Sequence, residues 1–254
     1  MTEEWRLLET GFHSAAENMA IDRAILKVHS QNKVPPTVRF YGWTPAAISI
    51  GYFQSLTAEV DLASCKKYGI DYVRRITGGG AVFHDDEVTY SIVIDEHHPS
   101  IPENIMESYA RICGAIIKGL QTLDIAGNYA PINDILVHNK KISGNAQTRK
   151  YNTVLQHGTI LTDVDVEKMF SLLKVPNEKI KDKLISDVKQ RVTSVKHVVG
   201  KKTDFDTVAD GLKKGFEEEF DIKFKKGALT REEKKLALQY AQMYFASNEW
   251  NHKR

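Results

Sequence analysis

The sequence predicts an α+β fold in which a mixed β-sheet is flanked by helices. Runs rich in Val, Ile, Thr and aromatic residues alternate irregularly with runs of helical periodicity, and short polar turns join many of the strand-like runs. The strands are not each followed by a helix, so a doubly wound parallel sheet is not expected. The 254 residues are enough for one domain with a buried core.

The first elements are a helix and two strands. Ser14 and Glu17 have the spacing of a capping box, and apolar residues follow at helical spacing, which predicts a helix over residues 15–30. Two runs rich in β-branched and aromatic residues then predict strands at 37–41 and 47–52, joined by a turn that contains proline.

A short helix and two further strands surround a glycine-rich segment. The helix is predicted over residues 60–68 and ends at Gly69, because glycine readily adopts the left-handed conformation of a helix C-cap. Residues 71–75 form the strand that enters the glycines, and residues 89–94 form the strand that leaves them.

The next helix is long and strongly amphipathic. Ser100 and Glu103 have capping-box spacing with Pro102 in the first turn, which predicts that the helix begins there. Its apolar face comprises Ile105, Tyr109, Ile112, Cys113, Ile116, Leu120 and Leu123.

A hairpin over residues 135–143 follows, and a strand at 154–161 is expected to pair with it. A helix over residues 166–175 is expected to end at Pro176, since proline cannot continue a helix. Residues 177–254 form a lysine-rich, mostly helical extension of the single domain.

Within this extension, residues 222–224 form a short strand and the capping box Thr230–Glu233 opens a last helix that reaches about residue 245. The lysines of this region alternate with acids, as on a solvated helical surface.

Composition excludes several classes of protein. The net charge of +2 gives no electrostatic reason for bulk binding to nucleic acid. The acidic N-terminus lacks a signal peptide, and no run of apolar residues is long enough to cross a membrane, so a cytoplasmic location is expected. Cys65 and Cys113 have no metal-site spacing and are predicted to be half-buried thiols.

The segment Arg74–Asp85 carries the strongest signal for a binding site. Its three consecutive glycines allow the backbone to approach a ligand closely and to direct several N–H groups at one anion, although a glycine triplet is also typical of a tight turn. Arg74 and Arg75 are neighbours on a strand, so only one faces a ligand. The other is expected to pair with an acid or to pack by its aliphatic stem.

A second candidate segment contains Lys140 and Lys141, which enter a Ser-Gly turn. A lysine here is suited to a phosphate or a carboxylate, or is merely solvated, and neighbours on a strand face opposite ways. Asp134, which follows Asn133, either holds a magnesium ion or caps a turn.

His84 and His157 are candidates for proton transfer, with a structural role as the alternative. No Ser-His-Asp ordering and no H-E-x-x-H motif is present in the sequence.

Four blocks of this sequence resemble the lipoate–protein ligase A family. They are Arg74–Asp85, Asn133–Asp134, Lys141–Gln147 and Gln156–Leu161, and their order and separation match over roughly residues 5–200. The resemblance implies a catalytic fold shared with biotin–protein ligases and an enzyme that uses ATP and Mg²⁺ to convert lipoate to lipoyl-AMP. Such an enzyme transfers the lipoyl group to a lysine of a lipoyl domain, on E2 subunits of 2-oxoacid dehydrogenases or on the glycine cleavage H protein.

The resemblance also implies roles for individual residues. Lys141 is the catalytic lysine, which binds both the lipoate carboxylate and the α-phosphate, and Asp134 lies near the metal or this lysine. The residues implied in binding ATP and lipoyl-AMP are Arg75, Gly78, Gly79, Gly80, Ala81, Val82, Phe83, Lys141, Ser143, Gly144, Ala146 and His157. Those implied in binding lipoate are Tyr52, Val82, His84, Lys141 and Gly158, and Phe53 is a further residue suited to lining the apolar slot.

Two alternatives to the ligase remain. Related octanoyltransferases transfer an acyl group without ATP, and one subclass uses a cysteine just before the Lys-x-Ser-Gly block, where this sequence has none. A non-catalytic lipoyl- or nucleotide-binding module is the other alternative. Many ligases of the family also carry a C-terminal domain for which this chain is too short, so we expect a separate protein to supply it, as in archaeal split ligases.

Overall fold

The computed structural model describes residues 2–174 and 181–254, and the side chain of Lys181 is not described. A large mixed sheet of eight strands and a small sheet of three strands form the framework, in agreement with the predicted α+β class. The strands are β1 (Glu3–His13), β2 (Thr37–Trp43), β3 (Ala47–Ile50), β4 (Asp71–Arg74), β5 (Val82–His84), β6 (Glu87–Asp95), β7 (Asn128–Ala130), β8 (Asp134–Val137), β9 (Lys140–Lys150), β10 (Thr153–Leu161) and β11 (Ile222–Lys226).

The helices are distributed along the whole chain. They are α1 (Ala15–His29), α2 (Leu56–Glu59), α3 (Leu62–Tyr68), α4 (Ile105–Gln121), α5 (Val166–Leu172), α6 (Lys181–Arg191), α7 (Val195–Val199), α8 (Phe205–Phe220), α9 (Arg231–Tyr240) and α10 (Asn248–Asn251). A π-helical turn, Ala241–Phe245, continues α9.

The large sheet has the order β11-β1-β2-β6-β10-β9-β8-β7, and the small sheet has the order β4-β3-β5. In the large sheet β1 runs parallel to β11 and to β2, and the remaining pairs are antiparallel. In the small sheet β3 is parallel to β4 and antiparallel to β5. The glycine segment therefore connects β4 to β5, the two edges of the small sheet.

Both faces of the large sheet are buried. Leu7 and Phe40 pack in a cluster with α4 and α8 on one face, whereas their neighbours Leu8 and Tyr41 pack in a second cluster with α1 on the other face. This division follows the alternation of side chains along a strand. The cluster on the α1 side also includes Ala47 and Val73 and so joins the small sheet to the large one.

Most predicted elements are confirmed. Ser14 and Thr230 cap α1 and α9 in capping boxes, and Gly69 ends α3 in the left-handed conformation. The predicted hairpin pairs β8 with β9, and β10 pairs with β9 as expected. Helix α5 begins as predicted but ends at Leu172, and Pro176 lies outside the described residues.

The predicted start of the long helix is wrong. Asn104 caps α4 by accepting hydrogen bonds from the backbone N–H groups of Met106 and Glu107. The preceding segment is held away from the helix, because the Arg149 guanidinium binds the carbonyl oxygens of Pro102 and Glu103. These contacts come from distant parts of the sequence and override the local capping signal.

Strand β1 was not predicted from the sequence. Its residues Trp5, Leu7 and Leu8 are buried between two parallel neighbours, one of which, β11, lies more than 200 residues away. Strand β11 also ties the lysine-rich region into the large sheet, so that region contributes directly to the core.

Candidate functional site

A pocket with a cavity of about 160 Å³ lies between the small sheet and the strands β9 and β10 of the large sheet. It brings together all four sequence blocks: the glycine segment, Asn133 of the Asn133–Asp134 block, the Lys141 block and the His157 strand. Its lining residues are Met19, Tyr41, Trp43, Ser49, Arg75, Gly79, Gly80, Ala81, Val82, His84, Thr89, Asn133, Lys141, Gly144, Asn145, Ala146, His157, Gly158 and Thr159.

The glycine segment is wrapped around the buried guanidinium of Arg75. Arg75 Nη2 donates to the carbonyl oxygens of Gly78 and Gly80 at 2.7 and 2.8 Å, and Nη1 donates to the carbonyl of Ser49 at 3.0 Å. Burial lowers the pKa of Arg75 to about 10, so it remains charged at neutral pH. The loop is therefore shaped by the protein itself before any ligand binds.

Two glycines are required for this loop. Gly79 has a φ of +96°, a conformation that side chains with a Cβ rarely adopt. A Cβ on Gly51, in the adjoining segment after β3, would lie 2.0 Å from the carbonyl oxygen of Gly79. The close approach of the two backbones therefore fixes the wall of the pocket.

Arg74 has a structural role. Its partners are backbone carbonyl groups and not an acidic side chain. Its guanidinium is fully buried and donates to the carbonyl oxygens of Tyr52, Trp250 and Asn251 at 3.0, 3.0 and 2.8 Å, among others. The expected pairing with an acid is wrong, because backbone carbonyls at the end of α10 and after β3 satisfy the charge. Arg74 thus joins the C-terminal helix to the segment beside the pocket.

Lys141 is the cation of the pocket that is available to a ligand. Its Nζ lies 2.7 Å from Asp134 Oδ1, and both side chains are partly exposed. This contact is an ion pair between an ammonium group and a carboxylate. Gly144 makes room for the lysine stem, because a Cβ there would lie 2.8 Å from Lys141 Cε. Lys140 faces a different cavity, as expected from the alternation along β9.

His157 is held by a buried polar network on β10. Its Nδ1 lies 3.3 Å from Asp22 Oδ2 and its Nε2 lies 2.7 Å from Thr77 Oγ1. A carboxylate only accepts, so Nδ1 carries the proton and Nε2 accepts from the threonine hydroxyl. Burial lowers the pKa of His157 despite the opposing effect of Asp22, which favours the neutral ring.

Asp22, on α1, is the centre of this network. It accepts hydrogen bonds from Arg39 at 2.7 Å, Tyr41 at 2.9 Å and Ser91 at 2.9 Å. Burial raises the pKa of the carboxyl, but the charge of Arg39 and the hydrogen bond from His157 outweigh it, and the net shift is downward. Asp22 was not predicted as a site residue, because its neighbours in the sequence are those of any surface acid on an amphipathic helix.

His84 occupies a second network, formed by the small sheet and β6. Its Nε2 lies 2.8 Å from Ser49 Oγ, its Nδ1 lies 2.7 Å from Glu87 Oε1, and its ring stacks on Trp43 with centroids 4.0 Å apart. All four side chains are buried. Thr89 extends the network, since its hydroxyl accepts from the Trp43 indole N–H at 2.7 Å and donates to Glu87 Oε1 at 2.5 Å. Among the described residues, Glu87 Oε2 has no hydrogen-bond donor.

The structure brings most of the predicted site residues into the pocket. Of the residues predicted to bind nucleotide or lipoate, those that line it are Arg75, Gly79, Gly80, Ala81, Val82, His84, Lys141, Gly144, Ala146, His157 and Gly158. Those that lie outside the lining are Tyr52, Phe53, Gly78, Phe83, Ser143 and Asp134. Asp134 nevertheless contacts Lys141, and Gly78 contacts Arg75.

Tyr52 and Phe83 point to other parts of the fold. The ring of Tyr52 packs against Phe53 and Trp250 on the surface, with centroids 5.0 and 5.7 Å apart. Phe83 packs against the core beneath the small sheet, on the opposite face from Val82. Their predicted roles in ligand binding remain predictions.

The cysteines are fully buried, more than the predicted half-burial, and neither lines the pocket. Burial raises the pKa of the Cys65 thiol to about 11 and that of the Cys113 thiol to about 12. Because the thiolate is the nucleophile, neither cysteine is activated for acyl transfer.

Two further observations concern metal centres and membrane-spanning helices. In the described parts of the chain, no group of three or more His, Cys, Asp or Glu side chains has the arrangement of a metal centre. No helix among those described is both long enough and apolar enough to cross a membrane.

Comparison with known proteins identifies the family. Residues 14–217 match the family model described as the lipoyl protein ligase A/B catalytic domain. The chain is 38% identical to the octanoyltransferase LipM of Geobacillus kaustophilus (strain HTA426) and 35% identical to the octanoyltransferase LipM of Bacillus subtilis (strain 168). Each alignment covers 99% of both chains.

Solved structures agree with this assignment. The chain has a TM-score of 0.89 and 31% identity to a chain of a bi-partite lipoate protein ligase system from Thermoplasma acidophilum, covering 98% of this chain and 96% of that one. A lipoate-protein ligase A bound with ATP gives a TM-score of 0.84 and 30% identity, with 99% of both chains covered.

The predicted family and fold are confirmed by these matches, and so is the general prediction of an enzyme of lipoyl or octanoyl transfer. The relatives named octanoyltransferase favour the transferase alternative over the ATP-dependent ligase. The chain belongs to the lipoyl protein ligase A/B catalytic domain family.

Proposed function

We propose that this chain activates lipoate with ATP and transfers the lipoyl group to a lysine of an acceptor protein. The observation that carries the proposal is Lys141 in the pocket, where Asp134 holds its ammonium group and the donors of Arg75 are occupied by the glycine loop. The partly exposed Lys141 can exchange Asp134 for an anionic substrate, whereas Arg75 already donates hydrogen bonds to carbonyl groups of the pocket wall.

The chemistry requires such a charge. In the first step a carboxylate oxygen of lipoate bonds to the α-phosphorus of ATP, and the bond to pyrophosphate breaks. Both reacting groups are anions, so an ammonium between them lowers their repulsion and stabilises the charge of the transition state. Holding both groups in one pocket also removes most of the entropy cost of their encounter.

In the second step an acceptor lysine amine attacks the acyl carbonyl, loses its proton and displaces AMP. The acyl chain fits the part of the pocket lined by Met19, Trp43 and Val82, which is apolar and closed by the His84 network. The rigid backbone of the glycine loop supplies N–H groups suited to the phosphate. We propose these binding roles for the individual residues of the pocket.

A magnesium ion fits the residues present. Asp134 carries a partly exposed carboxylate next to the pocket, and Mg²⁺ is often held by one carboxylate together with substrate phosphates. Asp134 would hold the ion, which when bound would neutralise phosphate charge. This proposal assigns Asp134 two successive partners, Lys141 before substrate binding and the ion afterwards.

The second candidate is acyl transfer to an acceptor lysine from an octanoylated carrier without ATP. It is favoured by the similarity to octanoyltransferases at 35–38% identity over almost the whole chain. Against a thioester intermediate, both thiols are buried, lie outside the pocket and have raised pKa values. We therefore prefer the ligase.

Lipoate-dependent exchange of labelled pyrophosphate into ATP separates the two functions. Exchange, or trapping of lipoyl-AMP, supports the ligase. Transfer from an octanoylated carrier protein in the absence of ATP, with no exchange, would overturn the ligase in favour of the transferase. The same assay with octanoate in place of lipoate defines the preferred acid.

We also propose that a separate accessory protein takes part in the reaction, as suggested by the similarity to a bi-partite ligase. The accessory protein is expected to accelerate lipoylation of an E2 lipoyl domain. An equal rate of complete ATP-dependent lipoylation with and without the partner would contradict this proposal.

A further inference from the structure

A surface beside the pocket carries five cations arranged among aromatic rings, and we name it the basic-aromatic face. The cations are Arg23, Lys27, Lys150, Lys253 and Arg254. The rings they contact are Tyr52, Phe53, Tyr151, Tyr240 and Tyr244, at 3.9–5.6 Å from the charged group to the ring centroid.

These contacts form one continuous surface. Lys150 and Lys253 lie 5.6 and 4.8 Å from the Tyr52 ring, and Lys27 lies 4.7 Å from the ring of Tyr151, the residue after Lys150. Lys253 Nζ donates to the Tyr52 hydroxyl at 2.9 Å, and this hydrogen bond together with the nearby charges lowers the pKa of the phenol.

Among the residues that the structure describes, the five cations have no acidic partners. Among the described residues, no carboxylate lies within 4.0 Å of any of them. Elsewhere on the surface such pairs are frequent, for example Lys33 with Glu232 at 2.7 Å and Lys196 with Asp163 at 2.5 Å. Because the whole chain is nearly neutral, this uncompensated charge is a local feature.

A small cavity of about 40 Å³ opens within the face. Arg23, Lys27 and Lys150 line it together with three tyrosines. The guanidinium of Arg23 is stacked between Tyr240 and Tyr244, and its Nη1 is buried without a hydrogen-bond acceptor. A buried donor that lacks an acceptor is unfavourable, so the cavity is suited to a carboxylate that enters from outside.

The face adjoins the wall of the active-site pocket. Ile76 lines the small cavity, and its neighbour Arg75 lines the pocket. The backbone N–H of Tyr52 donates to the carbonyl of Thr77 at 2.9 Å, and Thr77 in turn contacts His157. A molecule bound to the face would therefore lie next to the loop that closes the pocket.

We propose that the basic-aromatic face docks an acidic surface of the acceptor protein next to the lysine that is modified, with one carboxylate in the cavity of Arg23, Lys27 and Lys150. The inference rests on the proposed function, since that function requires a second protein to reach the pocket. Charge complementarity at such a face increases the association rate and orients the partner. Five cations on an almost neutral chain favour this limited docking surface over a nucleic-acid groove.

The test uses the double variant Lys27→Glu with Lys150→Glu and an E2 lipoyl domain as acceptor. Neither lysine lines the pocket, so the rate of lipoate-dependent pyrophosphate exchange should stay within about twofold of wild type. The KM for the lipoyl domain should rise by on the order of tenfold or more, since removing attraction and adding repulsion both weaken binding. The wild-type KM should also rise with salt, more steeply than that of the variant.

The matched control is Lys201→Glu with Lys202→Glu. These lysines are exposed on the turn between α7 and α8, and the control changes the net charge by the same amount. It should leave the KM for the lipoyl domain nearly unchanged. A melting temperature equal to wild type shows that both double variants are folded. Arg23→Met tests the cavity with less change in charge and is expected to raise the same KM by a smaller factor.

Three results would overturn the docking proposal: an unchanged KM in the Lys27 and Lys150 variant, an equal rise in the control, or a loss of pyrophosphate exchange together with transfer. The last would indicate a nucleotide site. If the wild type shows no exchange, the ligase proposal fails independently, and direct calorimetric binding of the lipoyl domain by wild type and variant still tests the face.

Discussion

The pocket and the basic-aromatic face both contain buried or stacked arginines, yet they use positive charge differently. In the pocket, the guanidinium of Arg75 is fully engaged by loop carbonyls, and the two histidines are each held by a carboxylate and a hydroxyl. On the face, the Arg23 guanidinium lies over the rings of Tyr240 and Tyr244, and among the described residues its Nη1 is buried without a hydrogen-bond acceptor.

The two arrangements of positive charge are suited to different ligands. A pocket for small anions benefits from a wall that does not move, because no reorganisation is then needed during the reaction. A docking surface for a protein benefits from accessible charges that acquire partners on binding. Arg74 connects the two regions, since it binds carbonyls of Tyr52 and of the C-terminal helix.

The largest expected effect separates the two neighbouring lysines of β9. Lys141→Ala should lower the rate of lipoyl-AMP formation by on the order of a hundredfold or more, as for removal of one transition-state donor. Lys140→Ala should have little effect, because Lys140 faces a different cavity. Pyrophosphate exchange measures both, and equal behaviour of the two variants would contradict the assignment of Lys141.

The next prediction concerns the connection between the regions. Arg74→Ala should lower the free energy of unfolding by on the order of 3 kcal/mol, since several buried carbonyls lose a charged donor. Urea titration measures this change. A variant as stable as wild type would show that the C-terminal helix is held by packing alone, through Trp250.

Stability should also depend on pH through the pocket. The folded state lowers the pKa of His157, so the unfolded chain binds a proton more readily than the folded one. The contribution of the neutral ring is present above pH of about 6.5 and decreases as the pH falls below that value.

Melting temperatures between pH 7.5 and 5 measure this dependence, which should be shallower in His157→Asn. His29 is also buried with a lowered pKa, so part of the slope should remain in that variant. An unchanged slope would show that His157 does not titrate in this range.

The smallest expected effect is that of Tyr52→Phe. Tyr52 lies on the face and not in the lining of the pocket, so the KM for lipoate should change less than about twofold, within the usual range for surface substitutions. Steady-state exchange as a function of lipoate concentration gives this value. A large rise would instead support the predicted contact of Tyr52 with lipoate and move the boundary between the two regions.

Elements with local sequence signals could be predicted from the sequence alone. The caps at Ser14 and Thr230 and the end of α3 at Gly69 follow from backbone contacts within a few residues. The four sequence blocks were also sufficient to indicate the family and the segments of the pocket, because each block combines residue types with one chemical use. The alternation of side chains along a strand predicted that only one of Lys140 and Lys141 faces a ligand, and the family resemblance indicated that this residue is Lys141.

The partners of the buried charges could not be predicted from the sequence and are known only from the tertiary structure. The carbonyl partners of Arg74 come from residues about 20 and about 176 positions away, and Asp22 meets His157 across 135 positions. Strand β1 depends on β11 in the same way. Such contacts are set by how the sheets and helices pack, and residue spacing does not encode them. For the same reason the basic-aromatic face could not be predicted from the sequence, since its residues come from α1, β9 and the C-terminal residues.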